Sequence, residues 1–276
     1  MKRIFLVADY DKLVRAEEDR GKWQVTRPLQ GVRVNDLSAD SDNPRLVYAA
    51  TQQDGILRSS DSGKTWQSIG LRGTPVKSLA LSPGRPGVIY AGCKPVSLYV
   101  TGDAGATWRE LPALRRSRRW WWFSPADPPG WVPYVQALTI SPEHSDIIMA
   151  GIELGGVLRS ADGGRTWSPH RSGAELDCHS LKYHHHQGSW VYEGGGGGVA
   201  FSQDGGVTWR KHKDGLKKTY GWMVAADPQK PEVWYASAAR MPNPLRGEFI
   251  PPAHRDGKAG ATIYRSVGGA AWQALS

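Results

Sequence analysis

The sequence predicts an all-β protein, a β-propeller of about six four-stranded blades, and three observations carry that expectation. One eight-residue pattern recurs along the chain. The residues before each copy alternate apolar and polar with a period of two, and no helical period competes with that alternation. Composition agrees: among 276 residues there are 33 Gly and 19 Pro, too many for a helical bundle, with no Gly-X-Y period to indicate collagen. Thirteen Trp against four Phe is the skew a copied motif produces. With 39% apolar residues the chain can bury a core, which argues against disorder. Only Cys93 and Cys178 are present, so no disulfide framework holds the fold.

The pattern reads Ser/Thr-x-Asp-x-Gly-x-Thr-Trp at residues 59–66, 101–108, 160–167 and 202–209. A fifth copy at 266–272 has lost the Asp and one residue, and Lys22-Trp23-Gln24-Val25 reads as the decayed end of a sixth. Asp and Ser oxygens accept backbone N–H bonds, Gly supplies a positive φ, and Trp opens the next strand as a packing knob, so each copy is a tight turn between strands. Upstream lies one strand grammar, seen at 76–81, 88–91, 98–100 and 108–111, here lettered A to D. The unit recurs from Val34, Val76, Val135, Cys178 and Gly221, while residues 4–29 supply B, C and D alone. The count gives five full blades plus a three-stranded N-terminal one, a single propeller domain over 1–276 with loop insertions at 112–131 and 238–258. The chain ends just after a D strand, which predicts an imperfectly closed ring or a truncated C-terminus.

The repeated turn resembles the Asp-box, or BNR, repeat of sialidases and related propellers, and the match covers nearly the whole chain. That resemblance implies a propeller with a glycan site at its mouth, in a sialidase-like or glycoside-hydrolase-like setting. The box itself is structural across many activities, so its Asp and Trp residues are read as structural. Sialidase residues do not carry over: the Arg-Ile-Pro segment is absent, Arg33 lacks its context, and the mouth offers Lys rather than three Arg. Related propellers also include assembly factors, such as those for photosystem II, that present a basic patch to a partner protein.

Strands in a blade alternate direction, so the boxes and A–B turns share one side while B–C and D–A loops share the other. His184-His185-His186 fills an A–B turn on the box side and is read as a solvated turn, not a metal site; no metal and no cofactor is expected. On the opposite side the chain departs from its own repeat. Alignment on the B-strand position (Tyr48, Tyr90, Met149, Tyr192, Tyr235) brings Asn35, Lys77, Gln136, His179 and Trp222 to one position at the start of strand A. Gln52, Lys94 and Glu153 share a second position in the B–C loops. Glu153 lies among apolar and Gly residues, an environment that raises a carboxyl pKa toward a general acid's range. It is the expected acid, with Asp177 or His179 as base, and with Tyr220 and His254 in reserve. Inversion would require the two carboxyls roughly 6.5–9.5 Å apart. The run Gly194 to Gly198 lacks the features of a phosphate loop and is read as leaving space beside the channel.

Charge concentrates on this same side. Residues 112–131 carry four Arg and one Asp (+3), 210–218 five basic groups and one Asp (+4), and 238–258 four basic and two acidic (+2). Together these equal the whole net charge of +9. Arg115, Arg116, Arg118 and Arg119 stand beside Trp120, Trp121, Trp122 and Trp131. Arg forks with aromatic faces suit an anionic ligand, above all an acidic glycan, and also a protein partner. No nucleic-acid recognition motif appears, so that partner class is disfavoured. The first apolar run ends after five residues, too short for a signal peptide or a membrane span, and a soluble cytoplasmic protein is expected.

Overall fold

Runs of β-branched and aromatic residues between Gly, Pro and Asp turns form six antiparallel sheets. The computed structural model describes residues 3–9, 11–124, 130–242, 245 and 259–275. Blade 1 holds β1 (Ile4–Asp9), β2 (Lys12–Asp19) and β3 (Lys22–Gln30). Blade 2 holds β4 (Val34–Ala39), β5 (Val47–Thr51), β6 (Ile56–Ser59) and β7 (Gln67–Gly70); blade 3 holds β8 (Val76–Leu81), β9 (Ile89–Cys93), β10 (Ser97–Thr101) and β11 (Arg109–Glu110). Blade 4 holds β12 (Val135–Ile140), β13 (Ile148–Ile152) and β14 (Gly156–Ser160). Blade 5 holds β15 (Cys178–Tyr183), β16 (Val191–Gly195), β17 (Gly198–Ser202) and β18 (Arg210–Lys211). Blade 6 holds β19 (Tyr220–Asp227), β20 (Lys230–Ala239), β21 (Thr262–Val267) and β22 (Gln273–Leu275). The protein is therefore a six-bladed β-propeller. In blade 4 the outermost strand shrinks to a single bridge, Arg159 to Ser168. Pro169 follows and brings no N–H to a ladder.

Inner strands of successive blades pack face to face, and buried Leu, Ile, Val and Tyr side chains fill the space between sheets. The repeated turns tie off the outer edge. In the first, Ser59 Oγ donates to Asp61 Oδ1 at 2.7 Å and accepts Gly63 N–H at 2.8 Å. Asp61 Oδ1 also accepts Thr65 N–H at 2.9 Å, and Trp66 Nε1 donates to the Gly63 carbonyl at 3.2 Å. The same hydroxyl-to-carboxylate bond recurs at Thr101–Asp103, Ser160–Asp162 and Ser202–Asp204.

The start of each inner strand carries the irregularity that shapes the mouth. Register with the second strand slips between Val34 and Asp36, Val76 and Ser78, Val135 and Ala137, Cys178 and Ser180, and Gly221 and Met223. The residues left over are Asn35, Lys77, Gln136, His179 and Trp222. A bulge of this kind turns its extra side chain out of the ladder, which here aims five dissimilar residues at one end of the channel.

The ring has one junction unlike the rest. Among the described residues, no packing comparable to that of the other neighbours joins β19–β22 to β1–β3. Phe5, Val7, Trp23 and Val25 of blade 1 are exposed, as are Met223, Ile263 and Leu275 of blade 6. The histidine turn also differs from expectation. His184 is buried and its Nε2 lies 3.0 Å from the Asp227 carbonyl of blade 6; only His185 and His186 face solvent. No helix among the described residues is long and apolar enough to cross a membrane.

Candidate functional site

Two backbone devices build the mouth from the repeat. At the first, B–C loop amides bond to the residue two before the bulge: Gln52 N to Arg33 O, Lys94 N to Pro75 O, Glu153 N to Tyr134 O and Gly196 N to Asp177 O. Gln52, Lys94 and Glu153 are thus held in equivalent places, and Gly196 is their counterpart in blade 5. At the second, side chains at or beside a bulge donate to the carbonyl before the next blade's bulge. Asn35 Nδ2 reaches Val76 O at 2.7 Å, Ser78 Oγ reaches Val135 O at 2.8 Å, and His179 Nδ1 meets Gly221 O at 2.7 Å.

These devices bring Glu153, Asp177, His179 and Tyr220 together from three consecutive blades. His179 Nε2 lies 3.3 Å from Asp177 Oδ2, 4.0 Å from Glu153 Oε2 and 3.4 Å from the Tyr220 hydroxyl. One ligand-type atom from each of Glu153, Asp177 and His179 falls within 4.8 Å of the other two, so the set can hold a metal ion. Glu153 and His179 are each 4% exposed. Tyr220 and Trp222 rings both stand 4.9 Å from the His179 ring. Burial pulls the His179 imidazolium down, but Asp177, Glu153 and the Gly221 carbonyl outweigh it, and the net shift is upward. Burial and the two carboxylates hold the Tyr220 phenol well above its usual range.

The glycine run is moulded around carboxylates rather than leaving open room. A Cβ on Gly196 would lie 2.1 Å from Asp177 Oδ2, and one on Gly197 would lie 2.2 Å from Glu175 Oε2. Beneath them Glu193 accepts the Glu175 N–H at 2.9 Å, and burial raises its carboxyl to about 8. Lys211 Nζ donates to Glu175 Oε2 at 2.9 Å.

In blade 3, which packs against the blade of Glu153, the sign of charge reverses. Lys77 and Lys94, both buried, place their ammonium groups 4.9 and 5.4 Å from the Tyr134 ring centroid. Gln52 Oε1 accepts from Asn35 Nδ2 at 3.2 Å and from Lys77 Nζ at 3.5 Å. Gln136 is half-buried at its bulge. Tyr134 was missing from the expected set, although it precedes its bulge by two residues as Asp177 and Tyr220 precede theirs. Reading the repeat alignment two columns earlier finds it.

The basic insertion lies beside this cluster. Helix α1 (Pro112–Arg116) begins on a proline and buries Leu114, and Arg115 Nε pairs with Glu110 Oε1 at 2.8 Å. A groove of about 650 Å³ is lined by Arg116, Arg118, Arg119 and Trp120 to Trp122, and it extends to Gly155 and Leu176, close in sequence to Glu153 and Asp177. Trp120 is 94% exposed and Trp131 70%, while Trp121 is only partly covered. Trp122 bounds the groove from beneath: at 3% exposure it belongs to the core cluster of Leu98, Val135 and Ile152. His254 lies outside the described residues.

No protein-family model matches the chain, and no curated protein matches it. Solved structures do. The GH74 xyloglucanase from Xanthomonas campestris superposes with a TM-score of 0.68 at 18% identity, covering 97% of this chain and 44% of that one. An ancestral GH74 enzyme gives 0.63 at 20% identity, covering 88% and 31%. YCF48 bound to D1 peptide gives 0.57 at 16% identity, covering 96% and 78%. The chain thus spans less than half the length of either GH74 structure. What it shares with all three, at these identities, is the β-propeller fold.

Proposed function

We propose that the protein is a carbohydrate-active propeller that binds and cleaves an acidic glycan at the channel mouth. The observation that supports this reading is the convergence of Glu153, Asp177, His179 and Tyr220 on the three blades that follow the one carrying Lys77 and Lys94. The cluster supplies acid–base groups, and the lysines of the neighbouring blade supply ammonium groups for a sugar carboxylate. Glu153 serves as acid, with Asp177 or His179 as base. Their oxygens approach within 4.8 Å, shorter than an inverting pair needs to admit water. That spacing favours a lyase or a retaining hydrolase. In the latter the Asp177 carboxylate attacks the anomeric carbon while Glu153 protonates the leaving oxygen, and Glu153 then activates the water that releases the sugar. In the lyase case a base removes the proton next to the sugar carboxylate, the C–O bond at the neighbouring carbon breaks, and an acid protonates the departing oxygen.

The test is turnover of uronide-containing oligosaccharides by the full chain. Glu153→Gln is expected to lower the rate by about 10²–10⁴-fold with an unchanged circular dichroism spectrum. Hydrolysis yields new reducing ends alone, whereas elimination adds the ultraviolet absorbance of an unsaturated product. Full activity in Glu153→Gln, or no turnover across the panel, sinks the reading.

A second reading, a scaffold that binds a partner protein, draws support from the exposed Trp120 and Trp131 beside Arg116, Arg118 and Arg119, and from the peptide on the YCF48 neighbour. It predicts that acidic peptides bind, and that replacing those three Arg by Ala abolishes the binding while leaving glycan turnover intact.

A further inference from the structure

We propose that the groove between the basic insertion and blade 4 is a chain-binding cleft, which holds the acidic sugar units adjoining the one at the Glu153–His179 cluster. The cleft has a cause in the sequence. Blades 3 and 5 extend their outer pairing by Leu111 N to Leu98 O at 2.7 Å and His212 N to Val199 O at 3.0 Å. Blade 4 has a single bridge before Pro169, and a side chain, His170 Nδ1, accepts the Val157 N–H at 3.2 Å. The insertion supplies the facing wall through Arg116 to Trp122. About 650 Å³ lies between them, the size that encloses a drug-sized ligand and more than one sugar ring needs.

The chemistry of the lining selects the ligand. Arg115 is engaged with Glu110, whereas Arg116, Arg118 and Arg119 are exposed and make no ion pair among the described residues. No carboxylate lines the groove with them among those residues. Because His170 accepts at Nδ1, the neutral ring carries its proton on Nε2, as a donor. The backbone carbonyls of Arg119 and Leu176 already accept from Trp122 and Gly156. Acceptors are so scarce in this wall that the buried indole N–H groups of Trp122 and Trp167 find none among the described residues. A groove rich in donors and poor in acceptors suits a ligand whose polar groups accept. A peptide brings one N–H per residue that would go unmatched here. A chain of acidic sugars brings carboxylate or sulfate, ring and glycosidic oxygens, and hydroxyls that can do either. Trp120, 94% exposed, and Trp121 offer ring faces for the apolar side of a pyranose. The cleft reaches Gly155 and Leu176, two residues after Glu153 and one before Asp177, so a chain lying in it leads toward the cluster. This inference takes the ligand's class from the carbohydrate reading, but it concerns binding and stands without cleavage.

The experiment uses the full chain carrying Glu153→Gln, which silences the proposed acid. Galacturonate and heparin-derived oligosaccharides of two and six units are titrated calorimetrically. At least one six-unit oligosaccharide should bind at least tenfold tighter than its two-unit counterpart. Arg118→Ala with Arg119→Ala should remove that advantage and leave the two lengths within about threefold. Lys64→Ala with Lys230→Ala removes the same charge from the box side and should preserve the advantage. That control separates groove contacts from the attraction of a chain of net charge +9 for any polyanion. Equal affinity at both lengths, or the same loss in both double variants, overturns the proposal. So does a hexaglutamate peptide that binds as tightly as the better hexasaccharide, which would assign the groove to acidic peptides. Length-dependent binding through the arginines, with no turnover by the unsubstituted chain, would remove only the catalytic reading. Turnover of two-unit and six-unit substrates with equal KM would remove only this one.

Discussion

A methyl group at Gly196 would stand 2.1 Å from Asp177 Oδ2, so this glycine sets where the Asp177 carboxylate can lie. Gly196→Ala should displace Asp177, reduce turnover at least tenfold, and cost about 1–2 kcal/mol of stability in a denaturant melt. Unchanged turnover would show that the carboxylate does not need this place. The sequence displays the glycine run but not its occupant. A Cβ clash with a carboxylate from another segment is a property of the assembled blade, and no local pattern encodes it. His184 teaches the same lesson, since its partner is a carbonyl 43 residues away. Asn35, Lys77, His179 and Trp222 were legible because repetition itself supplies the comparison: at an aligned position, a residue that breaks the pattern stands out.

At the scale of the element, the turns store a pH dependence. Asp103 and Asp162 are held down to about 2, chiefly by hydrogen bonds from Thr101 and Thr107 in one turn and from Thr166 in the other. A carboxyl with a lower pKa in the folded chain than in the unfolded one stabilises the fold fully above the unfolded value. That contribution disappears as pH falls through the folded value. The window therefore runs from about pH 4 down to about pH 2. Thermal melts of the protein and of an Asp103→Asn, Asp162→Asn double variant should differ near neutrality and converge toward pH 2. A constant difference would assign the turns' stability to packing instead. Strands and turns were readable from sequence because their spacing is local. The thinned outer edge of blade 4 was less so, because it depends on Pro169 meeting a ladder that other blades complete.

Over the whole molecule, blades stack as a nearly one-dimensional series in which each contacts its neighbours. A closed ring would give every blade two such contacts. Here the faces of blade 1 and blade 6 that carry Phe5, Val7, Met223 and Ile263 remain exposed. Amide hydrogen exchange should accordingly be slowest in β8–β10 and β12–β13 and fastest in β1–β3 and β21–β22. Uniform protection would mean that the junction is sealed in solution. The blade count was foreseeable from the repeat, but the exposed faces required side-chain directions.

That junction gives the mouth a mechanical asymmetry. Glu153 belongs to a blade packed on both sides, whereas among the described residues Tyr220 and Trp222 belong to one with comparable packing on one side only. The candidate cluster is therefore a vice with one jaw anchored and the other on a compliant mount. A ligand that spans Glu153 and Tyr220 staples the loose end of the stack to its middle, so occupancy of the mouth should register first as stiffening of blade 6.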